Sequence, residues 1–238
     1  MGMENLAREA QRLFGVHLTA SQQEAFRVYQ RELLRWNQKH NLTAIREPEK
    51  IVIRHFLDSL SCALVLPQRP VGRIVDVGTG AGFPGLPLKI LYPRLQVTLV
   101  ESVGKKADFC EHVVSTLKLK DVHVFRGRAE SIGRAAEHRE AYDWALARAV
   151  AYMPVLSEYL LPLVRVGGHV LAMKGETAPA EVQEAENAFR LLGGEVQKLV
   201  PVTLPGVVEQ HYLVVLDKVA ATPQRYPRRV GIPKKRPL

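Results

Sequence analysis

With 238 residues and a hydrophobic share of 47%, the chain can bury the core of one α/β domain and still carry an appendage. This composition excludes a protein that is disordered throughout. No apolar run approaches the ~18 residues of a membrane span and no signal peptide is recognisable, so we expect a cytoplasmic protein without membrane contact. Cys62 and Cys110 lack the spacing of metal ligands, so we expect buried thiols in a reducing compartment and no metal site.

The formal net charge of +9 is distributed unevenly along the chain. Residues 73–220 hold seventeen basic and seventeen acidic residues, whereas residues 221–238 hold six basic and no acidic residues. The excess of positive charge therefore lies in the first 72 residues and, above all, at the end. Such a distribution predicts a polyanionic partner that is held from the edges of a neutral catalytic domain.

Residues 1–70 are predicted to form a helical extension. Thr19 to Gln22 has the form of a capping box, and large apolar residues follow it at helical spacing, namely Phe26, Tyr29, Leu33 and Trp36. A second helix is expected to begin near Pro48. The polar stretch 36–45 before it is expected to form a loop that ends in an apolar anchor.

From residue 73 the pattern changes to short apolar strands that alternate with helices, which predicts a second domain over residues 71–220. The expected strands are 73–77, 96–100, 122–126, 143–148, 168–173, 196–203 and 210–218. The expected helices are 84–92, 104–118, 129–137, 152–165 and 179–193. Parallel strands joined by helices imply a doubly wound, seven-stranded, mostly parallel sheet with both faces covered. Residues 221–238 follow as a basic, proline-rich arm.

The most informative segment is 74–85, where an apolar strand ends at Asp76 and glycines follow at every second position. Glycine has no Cβ and tolerates positive φ, so a ligand can lie against bare backbone here. The register that begins with Gly80 satisfies the dinucleotide fingerprint G-x-G-x-x-G. The register that begins with Asp76 and Gly78 satisfies the D-x-G-x-G-x-G of S-adenosylmethionine-dependent methyltransferases. A carboxylate at the strand end repels a pyrophosphate but suits an ammonium and a sulfonium, so electrostatics favours S-adenosylmethionine and the Rossmann-like class I methyltransferase fold over a dinucleotide-dependent oxidoreductase.

Two further turns are expected to contact this cofactor. Glu101 ends the second strand, where an acid can accept hydrogen bonds from both ribose hydroxyls, with Ser102 and Val103 beside the ribose and adenine. In the turn after the third strand, Ala129 offers a backbone N–H to the adenine ring and Glu130 offers a carboxylate to its exocyclic amine. Glu130 would also suit the start of the helix that follows, since acids favour helix N-termini.

The residues at the end of the fourth strand limit which methyl acceptors are expected. It lacks the Asn/Asp-Pro-Pro-Tyr of many amino-group methyltransferases and a Pro-Cys pair, which disfavours an exocyclic amine or a cysteine adduct. Arg148 stands where side chains face substrate, and its guanidinium suits a base edge, a phosphate or a carboxylate, the alternative being an ion pair within the domain. Lys174 after the fifth strand has a similar position. Phe83 either closes over the cofactor or packs as a core aromatic under the turn.

The chain resembles the family of ribosomal RNA small subunit methyltransferase G, also called glucose-inhibited division protein B. The resemblance covers nearly the whole chain, and its motifs occur in order: NLTAI at 41–45, HFLDSL at 55–60, DVGTGAGFPGLP at 76–87, RA at 148–149, YPRRVGIP at 226–233 and PL at 237–238. The glycine motif is typical of the whole superfamily. The motifs near the two ends of the chain make the resemblance specific.

The resemblance implies methyl transfer from S-adenosyl-L-methionine, with S-adenosyl-L-homocysteine as product, to N7 of a guanine in a decoding-centre loop of bacterial 16S rRNA. It implies cofactor contacts at Gly78, Phe83, Ala129, Glu130 and Arg148, with residues 101–103 also near the adenosine. It places two basic residues on the side of the reacting substrate, Arg128 and Lys174. Together with Arg148 at the end of the fourth strand, they are the candidate catalytic residues. Ala129 departs from the larger apolar residue of many members, a change that a backbone contact would survive.

Guanine N7 has a free lone pair and no proton to lose, so the reaction needs positioning rather than a general base. N7 lies on the Hoogsteen edge, which predicts an unstacked or flipped base. The expected partner is 16S rRNA, the small subunit or an assembly intermediate, without an obligate protein partner. A methyltransferase for another RNA, a protein or a small molecule, and an RNA-binding module without catalysis, remain alternatives. The arm at 221–238 is expected to grip RNA phosphates or to pack on the domain.

Overall fold

The computed structural model describes residues 3–68 and 72–238, so the predicted boundary between residues 70 and 71 lies outside the described residues. The chain begins with helix α1 (Met3–Phe14) and helix α2 (Ala20–His40). The predicted capping box is present, because Thr19 accepts a hydrogen bond from the backbone N–H of Gln22 and the Gln22 side chain accepts one from the backbone N–H of Thr19. Helix α2 extends into the stretch predicted as a loop and ends where Asn41 adopts φ +48°.

Residues 48–64 form consecutive helical segments of changing pitch. Helix α3 (Pro48–Ile51) passes into a π-helical segment, Val52–Leu57, then into α4 (Asp58–Leu60) and a 3₁₀ turn, Ser61–Leu64. A π-helical segment inside a helix is a feature that often accompanies functional sites. Here it carries Arg54 and His55.

The sheet has seven strands in the order β3-β2-β1-β4-β5-β7-β6. The strands are β1 (Gly72–Val77), β2 (Leu95–Glu101), β3 (Val122–Arg126), β4 (Tyr142–Arg148), β5 (Val164–Lys174), β6 (Gly194–Val202) and β7 (His211–Lys218). Strands β1 to β5 pair in parallel, whereas β7 is antiparallel to both β5 and β6. The strand order reverses between β1 and β4, which is where ligands bind in open α/β sheets. The predicted sheet is confirmed.

The remaining helices connect the strands and cover the sheet. They are α5 (Gly85–Leu91), α6 (Gly104–Thr116), α7 (Ala129–Arg134), α8 (Met153–Leu160), α9 (Ala178–Glu184), α10 (Glu186–Leu192) and α11 (Ile232–Lys235). The helix predicted over 152–165 is shorter, because a 3₁₀ turn at Leu161–Leu163 contains Pro162 and β5 begins at Val164.

Two apolar cores lie on the two faces of the sheet, since successive residues of a strand point to opposite sides. Ile74 belongs to the core that the N-terminal helices cover with residues such as Phe26 and Phe56. Val75 belongs to the other core, which α8 and α10 cover and to which Tyr226 of the arm contributes. The predicted extension therefore shares its core with the sheet. Among the described residues, no helix has the length and apolar character to cross a membrane.

Candidate functional site

The glycine turn after β1 is held in place by backbone hydrogen bonds. Gly78, Gly80 and Gly82 adopt positive φ of 69°, 60° and 97°. The amides of Gly78 and Thr79 donate to the carbonyl oxygen of Val100 at 2.9 and 3.1 Å. The turn therefore lies against the end of β2 and follows a path that glycine adopts without a steric penalty.

Asp76 organises the turn from beneath. Its carboxylate is fully buried, and Oδ2 accepts hydrogen bonds from the Thr79 hydroxyl at 2.6 Å and the Gly85 amide at 2.8 Å. Burial raises the pKa of Asp76 to about 6. Its Oδ1 is the one buried side-chain oxygen or nitrogen that lacks a hydrogen-bond partner within residues 3–68 and 72–238. One acceptor therefore stays available beneath the glycine turn.

Glu101 holds two turns together at the end of β2. Its Oε2 accepts from the amide of Gly80 at 2.9 Å, and its Oε1 accepts from the amide of Val103 at 2.7 Å. The side chain is largely buried. Each carboxylate oxygen has a second lone pair, so these bonds leave acceptor capacity for the hydroxyls of a ligand.

A cavity of about 320 Å³, here named the first cavity, opens at the carboxyl ends of β1, β2 and β3. It brings together five residues that were predicted to lie near the cofactor or its substrate: Gly78, Ser102, Arg128, Ala129 and Glu130. Three residues that the sequence did not indicate also line it, namely Val230, Gly231 and Lys234. The backbone amide of Gly231 donates to Glu130 Oε1 at 2.8 Å, so the arm touches a predicted cofactor residue.

Phe83 does not line the first cavity. Its ring is 4% exposed and lies between the rings of Tyr29, 5.4 Å away at 11°, and His55, 4.6 Å away at 18°. The core interpretation of Phe83 is therefore the one the structure shows. Its ring connects the N-terminal helices to the glycine turn, and Tyr29 adds a hydrogen bond to the carbonyl oxygen of Ala81.

Arg148 also lies away from the first cavity. Its guanidinium donates to Asp58 Oδ2 at 2.8 Å, to the Arg54 carbonyl oxygen at 3.0 Å and to His55 Nδ1 at 3.1 Å. The ion-pair alternative for Arg148 is thus present, and its partner Asp58 is buried. Removing either charge would leave the other poorly solvated.

These groups line a second cavity of about 360 Å³, between the segment 54–61 and the ends of β4, β5 and β7. The second cavity also contains Lys174, whose Nζ donates to the carbonyl oxygen of Ala151 at 2.9 Å and pairs with Glu181 at 2.6 Å. His211 completes it, with Nδ1 at 3.2 Å from Asp58 Oδ1.

The two histidines of the second cavity have pKa values that are shifted in opposite directions. Burial lowers the pKa of His55 to about 3, and the charge of Arg148 acts in the same direction. His55 Nδ1 lies 3.1 Å from both the Arg148 guanidinium, which can only donate, and the Arg54 carbonyl oxygen, which can only accept, and Nε2 lies 2.9 Å from the Thr43 hydroxyl. The hydrogen bond to Asp58 raises the pKa of His211. Burial alone would raise the pKa of Asp58, but His211 and Arg148 together lower it.

The turn after β4 separates the two cavities and contributes to both. Arg148 and Ala149 line the second cavity, whereas Val150 lines the first. A Cβ added at Gly78 would lie 2.6 Å from Val150 Cγ2. The absence of a side chain at position 78 therefore lets the glycine turn approach this turn closely.

A comparison with known proteins identifies the family. The family model described as rRNA small subunit methyltransferase G matches residues 22–211. Proteins named Ribosomal RNA small subunit methyltransferase G are similar along nearly their whole length. One from Roseiflexus castenholzii is 55% identical over 94% of this chain and 95% of its own, and one from Alkaliphilus oremlandii is 43% identical over 100% of both.

The chain belongs to the rRNA small subunit methyltransferase G family. Solved structures with a similar fold include TYW2 from P. horikoshii in complex with MeSAdo, with a TM-score of 0.54, 18% identity, and coverage of 68% of this chain and 61% of that chain. TrmN from Thermus thermophilus has a TM-score of 0.53 and 22% identity, and the match covers 71% of this chain and 53% of that chain. The predicted fold class, enzyme class and cofactor S-adenosylmethionine are confirmed.

Of the second cavity, the sequence indicated Arg148 and Lys174 but not the other polar residues. His55 and Asp58 lie in the family motif HFLDSL, yet no role was predicted for either residue, and His211 was not singled out. One signal was available, since a histidine and an aspartate interrupt an apolar helical pattern. That pattern did not indicate which distant residues would meet them.

Proposed function

We propose that this enzyme transfers the methyl group of S-adenosylmethionine to N7 of a guanine in 16S rRNA. The observation that carries the proposal, beside family membership, is that two cavities adjoin across one turn. The first has the backbone surface and acids that suit a nucleoside, and the second has polar side chains that suit a nucleobase and its phosphate. Residues 148–150 contribute to both, which suits a direct transfer between two bound molecules.

The residues of the first cavity fit S-adenosylmethionine. Its exocyclic amine finds an acceptor in Glu130, and bare backbone at Gly78 admits close approach. Glu101 stands between Val100 and Ser102, which line the cavity, and offers acceptor capacity to the ribose hydroxyls. The unpartnered Oδ1 of Asp76 supplies a negative group beneath the glycine turn, which stabilises the ammonium of the cofactor by electrostatics. The bound cofactor supplies an electrophilic methyl group on a sulfonium.

The residues of the second cavity orient the guanine and favour its product. N7 is already a nucleophile with a free lone pair, so no side chain has to remove a proton, and positioning supplies much of the acceleration. Methylation leaves positive charge on the guanine ring. Asp58, whose lowered pKa keeps it ionised, neutralises the Arg148 guanidinium beside it, so that this cation repels the methylated ring less. His55 stays neutral and adds no repulsion.

The partner that we propose is 16S rRNA, bare or within the small subunit or one of its assembly intermediates. The arm presents exposed cations on the surface, namely Arg225, Arg229, Lys234, Lys235 and Arg236. These charges can contact several phosphates, and such contacts make RNA affinity fall as salt rises. Because N7 lies on the Hoogsteen edge, we expect the target base to enter the second cavity unstacked.

The test is methyl transfer from labelled S-adenosylmethionine to 16S rRNA that lacks the modification, followed by mapping of the label. We expect one labelled guanine, modified at N7, and faster transfer to a loop than to the same sequence held in a stem. Label on a ribose or an exocyclic amine would contradict the N7 assignment. Binding of both ligands without any transfer would support the RNA-binding alternative instead.

A further inference from the structure

The basic arm is fastened to the domain by partly buried hydrogen bonds. Arg228 forms a bidentate pair with the fully buried Glu158, with its Nη2 2.6 Å from Oε2. Arg139 donates to the carbonyl oxygens of Tyr226 at 2.6 Å and Thr222 at 2.7 Å. A buried, bidentate pair holds a segment in one geometry, unlike an exposed contact. The arm is therefore a fixed part of the fold.

Beyond this anchor the arm forms one wall of the first cavity. Val230, Gly231 and Lys234 line the cavity opposite Ser102 and the glycine turn. Gly231 adopts φ +82°, and this turn directs its amide to Glu130 Oε1 at 2.8 Å. This hydrogen bond holds one oxygen of the Glu130 carboxylate and so fixes where that carboxylate lies.

We propose that residues 230–234 of the arm are part of the cofactor-binding site, where they close its wall and position Glu130 for the adenine. The inference rests on the proposed function, because it takes the first cavity to hold S-adenosylmethionine. It assigns Gly231 as a positioning residue that acts through Glu130. The sequence had suggested that the arm grips RNA phosphates or packs on the domain, whereas its backbone gives it a role at the cofactor as well.

The hydrogen bond from Gly231 preorganises Glu130 for its ligand. A carboxylate fixed by a backbone donor loses little side-chain freedom when a ligand amine binds its other oxygen. The wall also excludes water from one side of the cavity, which strengthens each hydrogen bond inside it. Without residues 230–234, Glu130 would face solvent and sample several rotamers.

The first test is the substitution Gly231→Ala, measured as the affinity for S-adenosylhomocysteine by calorimetry without RNA. An alanine at φ +82° is strained and displaces the amide, so we expect the dissociation constant to rise about tenfold. The matched control is Gly15→Ala, because Gly15 has φ +68° and, like Gly231, has no atom within 4 Å of an added Cβ. It lies outside both cavities, so its affinity should equal that of the wild type.

The second test is a chain ending at residue 230, which keeps Arg228 and its anchor but lacks Gly231 and Lys234. We expect at least the same loss of affinity for S-adenosylhomocysteine. Wild-type affinity in both variants would overturn the inference, as would a truncated chain that loses RNA affinity alone. If the wild-type protein itself bound no S-adenosylhomocysteine, the proposed function would be wrong as well. If the wild type binds it and both variants bind it equally well, only the inference about the arm is wrong.

Discussion

The two cavities are built in different ways. The first is formed mainly by turns that directly follow β1, β2 and β3, and residues 230–234 of the arm add one wall. Beside it, the Glu101 carboxylate holds two backbone amides. The second is formed by side chains from segments far apart in the chain, joined through Arg148 and Asp58. We therefore expect cofactor binding to depend on these turns and on the arm, and acceptor binding to depend on how the N-terminal helices pack against the sheet.

This difference predicts that substitutions will separate into those that affect cofactor affinity and those that affect the acceptor. Calorimetry with S-adenosylhomocysteine reports the first cavity alone. The Michaelis constant for RNA and the rate of methylation report the second. Four substitutions test the separation, from the largest expected effect to the smallest.

Arg148→Ala should have the largest effect. It leaves the buried Asp58 without its arginine, and removing one partner of a buried ion pair costs about 3–5 kcal/mol of stability. We expect a loss of that order in urea unfolding and a strong loss of methylation, with unchanged affinity for S-adenosylhomocysteine. The control is Arg165→Ala, whose partner Asp143 is solvated, with an expected change of about 0–1 kcal/mol. A large fall in cofactor affinity in Arg148→Ala would break the separation.

Gly78→Ala should affect both cavities, because the added methyl group collides with Val150 at their common turn. The positive φ costs about 1–2 kcal/mol for a residue with a Cβ, and the collision adds about 1–3 kcal/mol. Cofactor affinity and methylation should fall together. The double variant with Val150→Ala removes the colliding methyl group and should recover part of both, as a double-mutant cycle would measure. If neither cofactor affinity nor methylation recovered, the effect would come from the backbone of the glycine turn alone.

Glu101→Gln should lower the affinity for the cofactor and leave the binding of RNA unchanged. An amide can accept at one atom only, so Gly80 or Val103 loses a charge-assisted hydrogen bond of about 1.5–3 kcal/mol. We expect affinity for S-adenosylhomocysteine to fall roughly tenfold or more, with an unchanged Michaelis constant for RNA. Glu111→Gln, which alters an exposed pair with Arg126, is the control and should change neither quantity.

His211→Gln should give the smallest effect, and one that depends on pH. The pKa of His211 is raised by Asp58 on folding, so the stabilisation is complete below the ordinary histidine pKa and disappears as pH rises through the raised value. The difference in melting temperature between wild type and variant should therefore be larger at pH 6 than at pH 9. A difference that grows with pH would contradict the ionic interaction.

Local patterns predicted the sheet and five residues that line the first cavity, because a strand, a turn and a helix are contiguous in sequence. Ala129 and Glu130 were predicted in this way, whereas the lining residues of the arm were not. The second cavity depends on pairs such as Asp58 with Arg148 and Asp58 with His211, which are 90 and 153 residues apart. No periodicity reports a contact of that kind.

The type of a residue also does not reveal in which direction its side chain points. Phe83 sits beside the glycines in sequence, yet its ring points into the core between Tyr29 and His55. Asp76 was expected to face the ligand, and most of its bonding instead goes to Thr79 and Gly85. Both residues support the turn from within, because the turn must be packed on one side before it can bind on the other.

The glycine turn has a consequence for dynamics. A run of glycines suggests a mobile loop, yet the amides of Gly78, Thr79, Gly80, Gly82, Phe83, Gly85 and Leu86 all donate hydrogen bonds. Their hydrogen exchange should therefore be as slow as that of the neighbouring strands, even without ligand. The entropy of ordering these residues is then lost when the chain folds, and the cofactor meets a surface that already has its final shape.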